Sequence, residues 1–326
     1  MKVIRINSFG GPEVLQIEEA PIPVPASDEI LVEVYASGIN PADWIVRRGG
    51  NEFLRPYLKL PIILGMDAAG IVVEVGSAVT RFKKGDQVYG LTNFPGDGSY
   101  AEYCVGKASQ FALKPKSLNF IQAAGVPLVS LTAWTALFAE ESVKAGQRVL
   151  IQGATGGVGS FAVQFAKAKG AYVIGVTSTD NVEYLKQLGA DEVIDYMSQN
   201  FEELLSDIDV VVEASSLRNS SERLKAISVL KIGGTFVSVN VDFPADQQVL
   251  SALNSKQAKG EFPAYQPRQV WLEEIAGLID NGEVSVVINE VFPMEKIADA
   301  HRKSESGNIA GKLILQIKEI NLGEKL

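Results

Sequence analysis

Gly146-Gln147-Arg148-Val149-Leu150-Ile151, followed after Gln152 by Gly153-Ala154-Thr155-Gly156-Gly157-Val158-Gly159, is the stretch that decides the fold. Val149 to Ile151 is a short apolar run of strand length. Beyond the glycines, Phe161, Phe165 and Ala168 recur at i, i+4 and i+7, which predicts a helix over 158–169 with one face docked on a sheet. Strand, glycine loop and helix in that order form a dinucleotide-binding unit. Glycines let the backbone approach a pyrophosphate closely. The free N–H groups and the dipole at the helix start then favour its negative charge. Ala154 stands in place of the first glycine of the common G-x-G-x-x-G form and is small enough for the turn. The cofactor-binding candidates here are Ala154, Thr155, Gly156, Gly157, Val158 and Gly159.

Working outward, strands are expected over 172–177, 209–213 and 235–241, alternating with helices over 131–141, 182–188 and 221–230. That beat predicts a parallel sheet covered on both faces. Residues 1–122 read differently, with short strands at 30–36, 69–75 and 87–90 separated by turns such as Gly10-Gly11-Pro12. A helix at 271–279 and strands at 284–291 and 312–317 return to that first part. The fold class is α/β: a Rossmann doubly wound parallel sheet (123–265) inserted in a discontinuous β-rich catalytic domain (1–122 plus 266–326).

The chain of 326 residues carries 30 basic and 39 acidic side chains and no basic tract, which argues against nucleic acid or an anionic membrane as a partner. No apolar run reaches the length of a membrane helix, and the N-terminus reads as strand and not as a secretory signal. A reducing, cytoplasmic setting fits a single cysteine, Cys104, which reads as a small buried hydrophobe. With Cys104 and His301 the only residues of their types, three or four Cys/His zinc ligands are unattainable, so no metal is expected. His301 is expected on a solvated helix face, with Glu202-Glu203 and Glu273-Glu274 as exposed charge and 321–326 as a loose tail.

An acid ending the second strand would hold the ribose of NADH and repel a 2′-phosphate. Here that strand ends in Thr177-Ser178-Thr179, and Asp180 follows late, where it suits a helix cap. NADPH is therefore expected ahead of NADH.

These residues resemble the zinc-free quinone oxidoreductase branch of the medium-chain dehydrogenases. Further stretches carry the resemblance: Gly38-Ile39-Asn40-Pro41-Ala42-Asp43, Gly85-Asp86-Gln87-Val88-Tyr89-Gly90, Gly98-Ser99-Tyr100-Ala101-Glu102-Tyr103, Leu131-Thr132-Ala133-Trp134 and Gly307 to Leu313 with Gly311-Lys312. It implies a GroES-like β-rich domain, a homodimer with an edge strand at 260–265, and a small electrophile as substrate. Where zinc relatives carry ligands, this chain reads Asn40-Pro41, Gly65-Met66-Asp67 and Val126-Pro127. The resemblance also places Thr132 near the nicotinamide, Tyr196 near the adenosine phosphate, Val239 at the carboxamide end and Lys312 among the cofactor contacts.

Quinones and enones suit a site without zinc, since positioned hydrogen-bond donors can stabilise charge on the substrate oxygen. Asn40 is the first candidate donor, with a turn residue as its other reading. Asp43 would orient Asn40 or a water, or simply cap a helix. Apolar candidates for the pocket wall are Trp44, Tyr57 and Met66, each at least as readable as core packing. An enoyl-thioester reductase and a non-catalytic NADPH-binding sensor stand as alternatives.

Overall fold

Branched apolar residues on both faces of Arg148–Gln152 make it the central strand of a six-stranded sheet, with Val149, Leu150 and Ile151 fully buried. A computed structural model of the chain describes residues 1–139, 143–217, 219–243, 246–307 and 309–319. The expected helix end at 140–141 and the tail at 321–326 lie outside the described residues.

The strand order across this sheet is Glu192–Asp195, Tyr172–Thr177, Arg148–Gln152, Ile208–Glu213, Leu230–Ser238 and Lys259–Glu261. Every pairing is parallel. The chain therefore moves outward one way from Arg148–Gln152, returns, and moves outward the other way. This is the Rossmann order, and ligands of such sheets sit beyond the strand ends where the direction reverses. Helices cover both faces. On one, Phe161 and Phe165 of Gly157–Ala168 pack against each other, and Phe165 meets Trp134 of Pro127–Phe138 edge-on at 5.0 Å. That second helix begins four residues before its expected start, because Pro127 occupies its first turn, where a missing N–H costs nothing. On the other face, Ile227, Val249 and Leu253 join Leu150, Ile174 and Phe236.

The GroES-like part holds a seven-stranded sheet built around Glu29–Ile39 and a smaller one around Lys2–Ile6. Asp67–Val75 pairs with one edge of Glu29–Ile39, and Lys312–Gln316 and Tyr103–Lys107 pair along the other, all antiparallel. The last described strand thus returns to the first part of the chain, with Leu313 opposite Ile39. Two contacts lock it to the parallel-sheet domain. Gly311 N donates to Thr155 O at 2.8 Å. Gln164 of the glycine-loop helix donates to Ser285 O (3.1 Å) and accepts from Ser285 N (2.7 Å). Among the described residues, no helix is long and apolar enough to cross a membrane.

Phe165 is 1% exposed between two helices. Truncating it to alanine removes a packed ring and leaves a cavity, so Phe165→Ala is expected to lower stability by about 3–5 kcal/mol. Urea unfolding followed by fluorescence measures this; a loss below about 1 kcal/mol would mean the neighbouring rings close the gap.

Candidate functional site

At the switch point a cleft of about 700 Å³ runs between the glycine loop and the last strand of the β-rich sheet. Thr155, Gly156, Gly157 and Val158 line it, while Ala154 lies buried beneath the loop. Gly159 has a packing role: a Cβ there would stand 2.1 Å from Gly153 O, so only glycine lets the helix sit this close to the strand end. Gly156 is the helix N-cap, and a Cβ on it would meet only Gly153 O, at 3.4 Å. The space over Gly156 is therefore open on the side where phosphates would lie against the helix start.

Thr177, Ser178, Asn181 and Tyr196 line the outer cleft. The Thr177 and Thr155 hydroxyls bond each other at 3.0 Å, tying the second strand to the loop. Thr179 turns instead to Asp195, donating to Oδ2 at 2.7 Å. Asp180 lies within a short turn, Thr179–Asn181, and the cap position of the following helix belongs to Asn181. Sequence reasoning missed Lys225, which lines this end with its ammonium 3.2 Å from both Glu202 and Glu222. Those two carboxylates raise its pKa, Glu222 foremost.

The inner cleft is built from residues far apart in sequence. Asp67 is fully buried; its Oδ1 accepts from Leu128 N at 2.7 Å and its Oδ2 from Asn40 Nδ2 at 2.8 Å. Gly38 makes room for it, since a Cβ there would lie 2.3 Å from Asp67 Oδ2. The Lys312 ammonium donates to Ile39 O (3.1 Å) and to Asn40 Oδ1, and stands 3.7 Å from Asp67 Oδ2. Burial pushes the Asp67 pKa up and pulls the Lys312 pKa down, and each charge opposes the other's neutralisation.

Behind this cluster, Asp43 sits on Pro41–Arg47 and accepts from Asn40 N at 2.7 Å, closing a capping box. Its Oδ2 also accepts from Tyr100 Oη at 3.1 Å, while burial pushes its pKa up to about 7. Tyr100 Oη is 3.3 Å from His301 Nε2, and Arg47 donates to His301 Nδ1 at 3.0 Å. An arginine only donates, so Nδ1 accepts and the imidazole proton resides on Nε2, facing the Tyr100 oxygen. Arg47 then pairs with Glu305, which Arg48 also reaches at 2.7 Å.

Several expectations are corrected. His301 is fully buried, because it completes the inner face of Ile297–Ser306 with Ile297 and Ala300; burial, with Arg47 alongside, pulls its pKa down to about 3. That i, i+3, i+4 spacing was present in a helix otherwise rich in charge. Tyr57 is 67% exposed on a short turn and is not part of the cleft wall, whereas Trp44 is, held by Nε1–H to Ser304 at 3.2 Å. Met66 is packed into the core and is not part of the cleft wall. Asn40 is not a free donor, since both ends of its amide are engaged by Asp67 and Lys312. Thr132 donates its hydroxyl to Leu128 O at 2.7 Å, and Val129 is the residue its helix presents to the cleft. Val239 is anchored at the end of the sheet by its N–H to Glu213 O (3.1 Å) and does not line the cleft.

Residues 26–116 match the alcohol dehydrogenase GroES-like domain family, and residues 188–315 match the zinc-binding dehydrogenase family. The chain is 34% identical to a quinone oxidoreductase of Sus scrofa over 97% of both chains. It is also 34% identical to an NADPH-dependent alkenal/one oxidoreductase of Arabidopsis thaliana, over 97% of this chain and 79% of that one. A solved quinone oxidoreductase of Coxiella burnetii superposes with a TM-score of 0.88 at 33% identity, covering 98% of this chain and 99% of the other.

The chain belongs to the quinone oxidoreductase branch of the medium-chain dehydrogenase/reductase superfamily. It is an NAD(P)H-dependent oxidoreductase. The residues present do not fit the zinc ion for which one matched family is described. Cys104 is buried on Tyr103–Lys107 in an apolar cluster, His301 is held between Arg47 and Tyr100, and Asp67 faces the Lys312 ammonium. Among the described residues, no group of three or more His, Cys, Asp or Glu could hold a metal.

The open space at Gly156 separates phosphate approach from folding. Gly156→Ala is expected to move the melting temperature by no more than about 2–4 °C and to weaken NADPH binding at least about tenfold, or 1.4 kcal/mol. Calorimetric titration decides it; unchanged affinity would place the phosphates elsewhere. His301 is expected to make stability pH-dependent. Unfolded, it binds a proton below its ordinary 6.5; folded, it stays neutral down to about 3. Its contribution is present above 6.5 and is lost as pH falls through that window, by about 1.4 kcal/mol per unit. The stability difference between wild type and His301→Gln, taken from pH 6.5 to 5, isolates this slope from the opposing one of Asp43. A flat difference would refute a neutral buried imidazole.

Proposed function

We propose that the chain reduces quinones or α,β-unsaturated carbonyls with NADPH and without zinc, and works as a homodimer. The observation that carries this reading is the continuity of the cleft. Gly156 and Gly157 at the helix start line the same cleft as Asn40 and Lys312, behind which Asp67 is buried. Bound there, the dinucleotide supplies the two reducing electrons and a hydrogen as hydride. Thr155 to Val158 would hold its pyrophosphate, and Tyr196 and Ser178 its adenosine half. The chain's own part is to hold the acceptor in place, exclude water and meet charge as it develops on oxygen.

Preference for NADPH is supported by Thr177 and Ser178 at the second strand's end, where an acid would repel the 2′-phosphate. Lys225 is the cation lining that end, already held by two carboxylates, so the preference is expected to be modest. The names of the relatives, a quinone oxidoreductase and an alkenal/one oxidoreductase, support the two acceptor classes. Lys259–Glu261, last in the sheet order, supports an edge-to-edge dimer; light scattering reports the mass.

Dinucleotide oxidation, followed by absorbance with a small quinone and a small enone, tests the reading. Turnover is expected to resist chelator and to favour NADPH over NADH in kcat/KM. Tight NADPH binding without turnover of either acceptor would overturn it.

A further inference from the structure

The deepest cation of the cleft has no role so far beyond its place in the wall. Lys312 begins the strand Lys312–Gln316, immediately after the Gly311–Thr155 hydrogen bond, and is 4% exposed. Its stem runs past the start of the glycine-loop helix: a Cβ on Gly157 would lie 3.2 Å from Lys312 Cδ. The stem is therefore beside the phosphate site, but the ammonium is carried beyond it, to Ile39 O and Asn40 Oδ1.

Counting donors narrows what the cluster can do. The Asn40 amide donates to Asp67 at 2.8 Å, with Gly38 O at 3.4 Å beside its nitrogen, and the amide oxygen accepts from Lys312. Asp67 offers no donor to a substrate oxygen, and each of its own oxygens already takes one bond, from Leu128 N and from Asn40. Lys312 has three N–H groups. Two go to Ile39 and Asn40, and Asp67 at 3.7 Å is an ionic neighbour beyond hydrogen-bond distance. Among the described residues lining the cleft, the other cation is Lys225, engaged by Glu202 and Glu222 at the outer end. Lys312 thus retains one N–H outside a short hydrogen bond, with Asp67 Oδ2 its nearest acceptor at 3.7 Å, at the inner end.

We infer that the Lys312 ammonium receives the negative charge that develops on the substrate's carbonyl oxygen, with Asn40 and Asp67 as positioning residues that hold it there. This rests on the reductase reading above. Reduction of an enone adds a hydride to the β-carbon; the carbon–carbon π pair moves between the α-carbon and the carbonyl carbon, and the carbonyl π pair moves onto oxygen as an enolate. Lys312 hydrogen-bonds that oxygen and keeps its own proton, and water protonates the α-carbon. The enone is reduced to the saturated ketone as the dinucleotide is oxidised. A quinone needs this help less, because its product anion is spread over an aromatic ring.

The test uses 4-nitrophenol, whose ionised form carries charge on oxygen and is read by its colour without turnover. Wild type, with and without NADP⁺, is expected to bind the phenolate at least about tenfold more tightly than Lys312→Met and to ionise the bound phenol at lower pH. Lys312→Arg is expected to restore part of the effect. In turnover, Lys312→Met is expected to lower enone kcat by roughly 10²-fold, as for loss of one donor at an oxyanion, and quinone kcat by a clearly smaller factor. The double variant Lys312→Met/Asp67→Asn removes both buried charges and serves if the single variant does not fold. Equal phenolate binding by wild type and variant, or its absence in both, overturns the inference. So does a loss confined to NADP⁺ affinity, which would make Lys312 a phosphate ligand. If wild type turns over neither acceptor, the reductase reading fails, while the phenolate comparison still decides the role of Lys312.

Discussion

The antiparallel pairing of Lys312–Gln316 with residues 36–39 is the constraint on which the cleft depends. It closes a loop of nearly the whole chain, and loop-closure entropy grows only slowly with length, so such a contact is affordable once strand and side-chain packing hold it. The pairing does two things together. It continues the β-rich sheet, and through Gly311 it fastens that sheet to Thr155 in the glycine loop. One short stretch therefore sets the distance between the start of the glycine-loop helix and the Asn40–Asp67–Lys312 cluster. Gln164, bonded to Ser285 from the glycine-loop helix, makes a second tie, which resists rotation about the first.

Burying charge is expensive unless each ion has partners, and the two polar clusters beside the cleft meet that demand differently. Asp67 and Lys312 share opposite charge and neutral ligands at the cleft's inner end. Asp43, Tyr100, His301 and Arg47 form a chain of hydrogen bonds that ends in an ion pair with Glu305 near the surface. Asn40 touches both clusters, giving its backbone N–H to Asp43 and its side chain to Asp67 and Lys312. Its rotamer is thereby fixed from two sides, which explains why a residue read from sequence as a donor to substrate serves here as a clamp.

What was legible in the sequence was local. The glycine loop declared itself because strand, turn and helix periodicity occur within one short span, and the parallel sheet followed from repetition of that beat. The GroES-like part and the return of the last strand were also readable, although strand ends shifted: Leu230–Ser238 starts earlier and stops sooner than expected over 235–241. The inner cleft was not legible in the same way. Asn40 and Lys312 are separated by 272 positions, and no spacing rule joins them. His301 was hidden by its neighbours, since a helix reading Ala298-Asp299-Ala300-His301-Arg302-Lys303 looks solvated until three inward positions are set against a core.

The same reasoning separates the two amphipathic candidates for holding charge at the inner end. An asparagine amide placed against an oxyanion needs an N–H that nothing else has claimed, and in this fold Asp67 claims it at 2.8 Å. Asp67 cannot give it up cheaply, because it is fully buried and would lose one of its two close neutral donors. A lysine has no such conflict. Its three protons exceed its two short acceptors, and the nearby carboxylate opposes the loss of charge that burial favours without occupying the remaining donor in a short bond. The arrangement therefore holds an amine between an acid and an amide before any substrate arrives, and a donor fixed in advance is what stabilises a forming oxyanion without reorganisation.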